Sequence, residues 1–321
     1  MPIDIRELRQ GNRRALAKAI TLVESKRAEH REEAQCLIEA LLPHTGNSIR
    51  IGITGIPGVG KSTFIESFGQ TVIAQGKKVA VLAVDPSSPI AGGSILGDKT
   101  RMEELSRSDS AFIRPSPSEG ALGGVALKTR ETMLLCEAAG YDVILVETVG
   151  VGQSEYEVAS MVDFFMVLML PNAGDELQGI KKGILELADA LVINKADGDS
   201  LSMAQQTRSH YQNAMHLLRH TSFWTPQVLT CSSQLKENID EIWGMISGYQ
   251  IDAIKNNSFD TKRARQAQEW MHKLLHEMLD LRLKQNPGVK QKMPELDRQV
   301  TEGETTPYLA AKVLIDLLFA K

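Results

Sequence analysis

Six short apolar runs separated by helical stretches constrain the fold of this chain most strongly. In chain order they are IRIGITG, KKVAVLAVD, YDVILVET, DFFMVLML, DALVINK and PQVLTCS. Runs of this length, rich in Val, Ile and Leu and alternating with helical patterns, are typical of parallel strands buried on both faces. The sequence therefore predicts an α/β fold: a mostly parallel sheet with helices on both faces.

Helical extensions flank this region on each side. Residues 1–46 have helical spacing up to the breaker cluster HTGNS, and the strand pattern stops near residue 250. We therefore predict three segments: an N-terminal helical extension (1–46), a sheet domain (47–250) and a C-terminal helical region (251–321). The final helical pattern, TPYLAAKVLIDLLFAK, is almost wholly apolar on one side. It is expected to pack either on the sheet domain or on a second subunit.

Charge and apolar patterning narrow the class of protein. The chain of 321 residues has a net charge of −4 and a pI near 6.0, which give no general attraction to nucleic acid or anionic membranes. The longest apolar run, FFMVLML, is too short to span a bilayer, and the N-terminus lacks the apolar segment of a secretory signal. Three cysteines without paired spacing fit a reducing compartment. We expect a cytoplasmic protein with no nucleic-acid or membrane partner.

A glycine-rich loop follows the first apolar run. GIPGVGKS, at 55–62, fits the P-loop pattern G-x-x-x-x-G-K-[ST] and lies between a predicted strand and a predicted helix. In such a loop backbone N–H groups surround a β-phosphate, Lys61 reaches the β- and γ-phosphates, and the Ser62 hydroxyl coordinates Mg²⁺. The predicted phosphate-binding residues are Gly55, Gly58, Val59, Gly60, Lys61, Ser62 and Thr63.

The tetrapeptide NKAD at 194–197 follows the fifth apolar run and predicts the base. A carboxylate at Asp197 can accept the adjacent N1–H and N2–H₂ of guanine, whereas adenine would leave buried acceptors unpaired. The stem of Lys195 can lie along the base plane. The next strand ends in TCSS, whose backbone N–H groups are expected near guanine O6. The predicted base-binding residues are Asn194, Lys195, Asp197, Cys231, Ser232 and Ser233.

Two predicted strands end in a carboxylate at the sheet edge that carries the P-loop. Asp85 ends the second run and Glu147 the third, and a loop of small residues joins Asp85 to Asp98. Mg²⁺ prefers oxygen ligands, and a loop of this kind can be ordered by Mg²⁺ and a γ-phosphate. The alternative for Asp85 and Asp98 is that they are helix caps or turn residues. The predicted metal ligands are Ser62, Asp85, Asp98 and Glu147, and the predicted catalytic residues are Lys61, Asp85, Asp98 and Glu147.

Together with the P-loop and NKAD, three further stretches resemble the MeaB/ArgK family of P-loop GTPases: VDPSSP…GGSILGDKTRM, VETVGVGQSE and AGDELQGIKKG. Similarity extends to ALAKAITLVES near the N-terminus and to PELDRQVTEGETTPYLAAKVLIDLL near the C-terminus, so it covers nearly the whole chain. The resemblance implies a P-loop NTPase fold that binds GTP, GDP and Mg²⁺, and a role as chaperone of an adenosylcobalamin-dependent mutase, typically methylmalonyl-CoA mutase. It also implies protection and gated cofactor loading of that mutase, a homodimer held by the C-terminal helices, and a switch loop at 171–183.

The resemblance places Asp85, Asp98 and Glu147 on the Mg²⁺ and switch acids of the family. Glu147 stands where Ras-type switches have Asp, and no glutamine follows in the usual water-positioning place. Slow hydrolysis without a partner is therefore expected. Gln153 and Glu155 are nearby candidates for positioning the attacking water.

Two other functions remain open at this stage. One is a nucleotide-dependent kinase linked to lysine/arginine/ornithine transport proteins, since family members have carried that label; NKAD argues against its ATP requirement. The other is a module that binds nucleotide without turnover.

The pairs His216/His220 and His272/His276 have metal-ligand spacing but lack a third ligand, so we interpret them as surface or packing histidines.

Overall fold

A seven-stranded sheet is the centre of the structure. The computed structural model describes residues 3–25, 27–84, 102–116, 124–148, 154–171, 182–217 and 223–319. The strands are β1 (Ile49–Gly55), β2 (Val79–Val84), β3 (Ala111–Ser116), β4 (Val143–Thr148), β5 (Phe164–Met169), β6 (Ala190–Ile193) and β7 (Gln227–Thr230). Their order is β3-β2-β4-β1-β5-β6-β7, and every paired neighbour is parallel. The predicted α/β fold with a parallel sheet is confirmed.

Helices precede, connect and follow the strands. In the first half of the chain they are α1 (Ile5–Arg9), α2 (Arg13–Glu24), α3 (Ala28–Leu41), α4 (Lys61–Ala74), α5 (Glu103–Arg107) and α6 (Gly124–Ala138). In the second half they are α7 (Ser154–Ala159), α8 (Lys182–Leu187), α9 (Leu201–Leu217), α10 (Ile239–Lys255), α11 (Ser258–Gln285), α12 (Pro287–Thr301) and α13 (Pro307–Phe319). Short 3₁₀ turns occupy Leu42–His44 and Gly198–Ser200.

Strand β3 was not predicted, since only the other six strands have clear apolar runs. Its sequence, AFIRPS, contains a charged Arg114 and a proline at 115. Proline has no backbone N–H and is tolerated mainly in edge strands, and among the described strands β3 is at one edge of the sheet, where it pairs with β2. An edge position therefore permits a composition that does not resemble a buried strand.

Alternation along the strands divides the core between two faces. One face packs against α4 and α10, where Phe64 and Phe68 stack and Trp243 meets Phe68 edge to face. On the other face α6 contacts β2, β3 and β4, and the N-terminal helices α2 and α3 pack on α6. The N-terminal extension thus covers a helix of the sheet region.

A buried ion network lies at the edge of the sheet where the parallel strands begin. Arg263 donates to both carboxylate oxygens of Asp163, at 2.8 and 2.6 Å, and its guanidinium is 3.4 Å from Glu137. Arg50 Nε donates to Glu137 at 2.7 Å. Although burial acts to raise the pKa of Glu137, Arg50 and Arg263 hold that pKa below its usual value. The first turns of α11 are therefore fastened to β1, α6 and the start of β5.

The chain divides within α11 into two compact units, Met1–Gln266 and Ala267–Lys321. In the second unit, α12 packs on α13. Asn286 caps α12 by accepting the backbone N–H of Val289 at 3.1 Å, and Pro287 follows at the first helical position. These features explain why the NPG sequence ends one helix and starts another.

Candidate nucleotide-binding site

The glycine-rich loop joins the end of β1 to the start of α4. Gly58 and Gly60 have φ of 82° and 93°, a region in which L residues with side chains are strained. At Gly60 a Cβ would also lie 2.9 Å from Nδ2 of Asn194, and at Gly55 it would lie 2.6 Å from the carbonyl oxygen of Leu168. The loop thus curls against the ends of β5 and β6, and α4 begins directly at Lys61, followed by Ser62 and Thr63 in its first turn.

Lys61 is bound by the loop that precedes it. Its Nζ donates to the carbonyl oxygen of Gly55 at 2.7 Å and to that of Ile56 at 3.3 Å. Burial lowers the pKa of the Lys61 ammonium, while the carboxylates of Glu147 and Glu155 act in the opposite direction. The cation is therefore oriented at the mouth of the loop, in the field of two acids.

The two acids come from the end of β4 and the first turn of α7. Glu147 is half-buried and pairs in register with Ile53 of β1 and Ala83 of β2, so it lies at the sheet edge that carries the P-loop. Glu155 is only 3% exposed, and its Oε2 has no hydrogen-bond partner among the described residues. The structure thus brings Lys61, Glu147 and Glu155 into one electrostatic environment.

Several predicted residues lie outside the described ranges. They are Asp85, Asp98, Gln153 and, within the switch loop, residues 172–181. The strand that leads to Asp85 is described: β2 lies beside β4 in the sheet. Their assignments therefore stay predictions.

A buried pair of threonines links β1 to β4 beside these groups. The hydroxyls of Thr54 and Thr148 are 2.7 Å apart, and both residues are essentially inaccessible, at 2% and 0%. Thr54 immediately precedes Gly55, and Thr148 immediately follows Glu147. The C-terminal ends of β1 and β4 are therefore connected by a hydrogen bond between side chains as well as by the backbone hydrogen bonds of the sheet.

Asn194 connects the predicted base-binding loop to the phosphate-binding loop. Its Nδ2 donates to the carbonyl oxygen of Val59 at 2.9 Å. Its Oδ1 accepts from the backbone N–H and the hydroxyl of Ser233, at 3.1 and 2.7 Å, and from Sγ of Cys231 at 3.5 Å. Asn194 is 1% exposed. It holds three segments in place, which is a structural role in the site rather than a contact with solvent.

Lys195 and Asp197 are more open to solvent. Lys195 has φ of 60°, and its Nζ donates to the carbonyl oxygen of Gly58 at 2.8 Å, so its stem lies across the gap between the two loops. Asp197 accepts a short hydrogen bond from the hydroxyl of Ser232. The geometry leaves the partly exposed Asp197 carboxylate fixed at the rim of the site.

The third predicted segment completes the base side of the site. Cys231 is fully buried, and burial raises the pKa of its thiol to about 12. The backbone N–H of Ala196 donates to the carbonyl oxygen of Cys231 at 3.0 Å, and Ser67 of α4 donates to that of Ser233 at 2.5 Å. The thiol is therefore a neutral packing group, and the segment is anchored to both α4 and the NKAD turn.

Only some of the predicted oxygen ligands for Mg²⁺ lie among the described residues. The Ser62 hydroxyl and the Glu147 carboxylate are hard oxygen donors at one sheet edge, the kind of donor that Mg²⁺ prefers. Within the described ranges no group of three or more His, Cys, Asp or Glu side chains is placed to hold a metal. His272 and His276 are exposed on α11, whereas His220 and the side chain of His216 lie outside the described residues. The donors present fit Mg²⁺ that also retains waters or phosphate oxygens.

Sequence reasoning missed three features of this site: the bond from Asn194 to Val59, the bond from Lys195 to Gly58, and the Thr54–Thr148 pair. The bonds from Asn194 and Thr148 join residues 135 and 94 positions apart. No local spacing encodes such contacts, and only the sheet order could have suggested them.

No helix among the described residues is long and apolar enough to cross a membrane.

Comparison with known proteins places this chain in a family. A family model described as methylmalonyl Co-A mutase-associated GTPase MeaB matches residues 16–288. A putative GTPase of Caulobacter vibrioides is 54% identical over 307 residues, covering 95% of this chain and 94% of that protein. GTPase ArgK of Escherichia coli is 54% identical over 274 residues, covering 85% and 83%.

A solved structure shares the fold across almost the full length. The crystal structure of an LAO/AO transport system kinase superposes with a TM-score of 0.80 at 42% sequence identity, covering 98% of this chain and 96% of that chain.

Proposed function

The chain belongs to the MeaB family of methylmalonyl-CoA mutase-associated GTPases, and on that basis we propose that it hydrolyses GTP as the chaperone of an adenosylcobalamin-dependent mutase. In this role it protects the mutase and gates the loading of its cofactor. Methylmalonyl-CoA mutase is the client that the family description supports.

The position of Asn194 is the main support for the proposed binding of a guanine nucleotide. One side chain joins Val59 of the phosphate-binding loop to Ser233 of the segment expected at guanine O6. The next turn places Asp197 at the rim, where its carboxylate can accept the two adjacent N–H groups of guanine. A site that ties phosphate binding to this base-recognition group supports guanine nucleotides over adenine nucleotides.

Charge positions support hydrolysis in addition to binding. Lys61 stays close to the loop carbonyls from which it can reach the β- and γ-phosphates, and α4 directs its N-terminal N–H groups at the same place. Ser62 and Glu147, with Asp85 and Asp98, would hold Mg²⁺, which supplies neutralisation of phosphate charge when bound. Glu147 and Glu155 balance the charge of Lys61 before any ligand arrives.

A relay to the mutase is supported by contacts between α7 and α8. The hydroxyl of Tyr156, on α7, packs so closely on Gly183 that any Cβ at that position would overlap it. Helix α7 begins seven residues after Glu147, and α8 begins at Lys182, so Gly183 belongs both to α8 and to the end of the predicted switch loop at 171–183. Movement near Glu147 can therefore be passed to that loop by direct packing, and we propose the loop as the surface that reports nucleotide state to the mutase.

Homodimerisation is proposed from the C-terminal helices. The described residues of α11 and α13 include many exposed large apolar side chains: Met271, Leu275, Met278, Leu279, Tyr308, Leu309, Val313 and Ile315. Met271, Leu275 and Met278 are spaced four and three residues apart on α11 and so share one face of that helix, and exposed apolar surface of this kind is typical of protein interfaces. A second copy of the chain is the occupant that the family resemblance supports.

GTP turnover measured with and without the mutase tests the proposal. The purified protein is assayed with GTP and with ATP, alone and with methylmalonyl-CoA mutase of the same organism, and Lys61→Ala serves as the blank. We expect slow GTP turnover that the mutase accelerates and no turnover of ATP. GTP turnover indifferent to the mutase would retain the GTPase and contradict the proposed client.

The 42% identical solved structure is that of an LAO/AO transport system kinase, which favours one second candidate, a kinase linked to transport proteins. That function requires ATP and a protein acceptor. The same assay separates the candidates, because a kinase would transfer the γ-phosphate of ATP to protein, and radiolabelled ATP would reveal it.

A further inference from the structure

The buried hydroxyls of Thr54 and Thr148 are not required for the packing of the sheet. Thr54 and Thr148 are adjacent in register at the ends of β1 and β4, one position beyond the pair Ile53 and Glu147. Valine has nearly the volume of threonine and would fill the same space. A buried hydroxyl has a desolvation cost that a hydrogen bond offsets only in part, so an apolar pair of equal shape would be as stable or more so.

The Thr54–Thr148 pair lies where β1 and β4 end, next to two groups of the nucleotide-binding site. Because side chains alternate along a strand, Glu147 projects to the face that carries α4 and Lys61, whereas Thr148 projects to the opposite face and meets Thr54. Each threonine is one peptide bond from a group of the site: Gly55, whose carbonyl accepts from Lys61 Nζ, and Glu147. The hydroxyl contact fixes the backbone on which those two groups depend.

We propose that Thr54 and Thr148 are a positioning pair that sets the separation of the Glu147 carboxylate from the P-loop for GTP hydrolysis. This inference rests on the GTPase function proposed above. The two residues act through Glu147 and Gly55 and need not touch the nucleotide. Loss of the contact should reduce the chemical step more than it reduces nucleotide binding, because small displacements of a charged group in a reacting site have large effects on rate.

The double variant Thr54→Val/Thr148→Val tests this directly. It leaves no hydroxyl unpaired, so we expect a Tm at or above that of the wild type, unchanged GDP affinity, and a kcat for GTP lowered about tenfold. Either single variant leaves one buried hydroxyl without its partner and should lower the Tm as well. Thr54→Ser/Thr148→Ser keeps both hydroxyls and should restore kcat.

Thr132→Val is the matched control. Thr132 is a buried threonine of α6 whose hydroxyl has no hydrogen-bond partner among the described residues, so its loss should leave kcat unchanged. A double valine variant with the kcat of Thr132→Val would overturn the positioning role. So would a parallel loss of kcat, GDP affinity and Tm, which would indicate general damage. If wild-type turnover does not exceed that of Lys61→Ala, the GTPase proposal itself fails and this inference with it, a result distinct from the other two.

Discussion

The side-chain amide of Asn194 donates to the main-chain carbonyl of Val59 at 2.9 Å, a buried hydrogen bond that joins the NKAD turn to the phosphate-binding loop. Asn194→Asp would keep the acceptor for Ser233 but turn a carboxylate oxygen toward the Val59 carbonyl. We expect a loss of about 2 kcal/mol in GDP binding, measured by titration calorimetry. Asn213→Asp, an exposed change on α9, is the control. Equal affinity of the two variants would show that the bond has no role in binding.

The base preference should change with one substitution at the rim. Asp197→Asn would present one acceptor and one donor, which match the N1–H and O2 of xanthine and not the paired donors of guanine. We expect GDP affinity to fall by about 1–3 kcal/mol and XDP affinity to rise, in competition assays with a fluorescent nucleotide. Ser232→Ala removes the hydroxyl that donates to Asp197 and accepts from the backbone N–H of Leu235, so it should weaken GDP binding without favouring XDP. If Asp197→Asn leaves the GDP-to-XDP ratio unchanged, Asp197 does not read the base.

Replacement of glycine by alanine should have opposite effects on stability at two positions, Gly52 and Gly244. In Gly52→Ala the new Cβ would lie 2.8, 2.9 and 3.0 Å from atoms of Phe165, Val158 and Val162, inside a packed core. We expect a loss of about 1–3 kcal/mol in the free energy of unfolding, measured by urea denaturation. Gly244 lies within α10 and has open space where a Cβ would be, so Gly244→Ala should gain about 1 kcal/mol. Equal stabilities of the two variants would contradict the close packing of Phe165, Val158 and Val162 around Gly52.

Acid dependence should follow the buried network of Glu137. The pKa of this group is lower in the folded protein than its ordinary value of 4.5, because the favourable effects of Arg50 and Arg263 exceed the cost of burial. A depressed pKa stabilises the fold above the unfolded value, and that stability is lost as the pH falls through the folded value. Glu137→Gln should therefore be less stable than the wild type by about 3 kcal/mol at pH 7, with the difference shrinking below pH 4.5.

Urea titrations at pH 7 and at pH 4 measure this difference. Glu33→Gln, at an exposed position on α3, serves as the control and should show no comparable dependence. A stability gap between Glu137→Gln and the wild type that stays constant with pH would mean that the charge of Glu137 has no part in the network.

The predictability of each feature depended on how far apart its parts lie in the chain. The P-loop, NKAD and six of the strands are contiguous patterns, and the region expected to be helical from 251 to 321 contains α11, α12 and α13. Strand β3 escaped prediction because Arg114 and a proline interrupt its apolar pattern, and strand pairing at the edge outweighs that composition.

Side-chain contacts across the sheet were beyond sequence reasoning altogether. Glu155 was only one of two candidates, and its near-complete burial depends on how α7 packs on β1. The pairing of Thr54 with Thr148 depends on strand order, which the sequence does not contain as a pattern. These contacts are consequences of topology, and topology is set by long-range packing.

The two edges of the sheet have a consequence for how this chain can associate. At one edge, β3 carries a residue with no N–H to offer and a charged neighbour, and at the other β7 is only four residues long. An incoming extended strand would find an interrupted hydrogen-bonding row on the first and a short one on the second. The molecule is thereby shielded from edge-to-edge aggregation, and its specific complexes are left to helices and loops, surfaces that can be altered by nucleotide without opening the sheet.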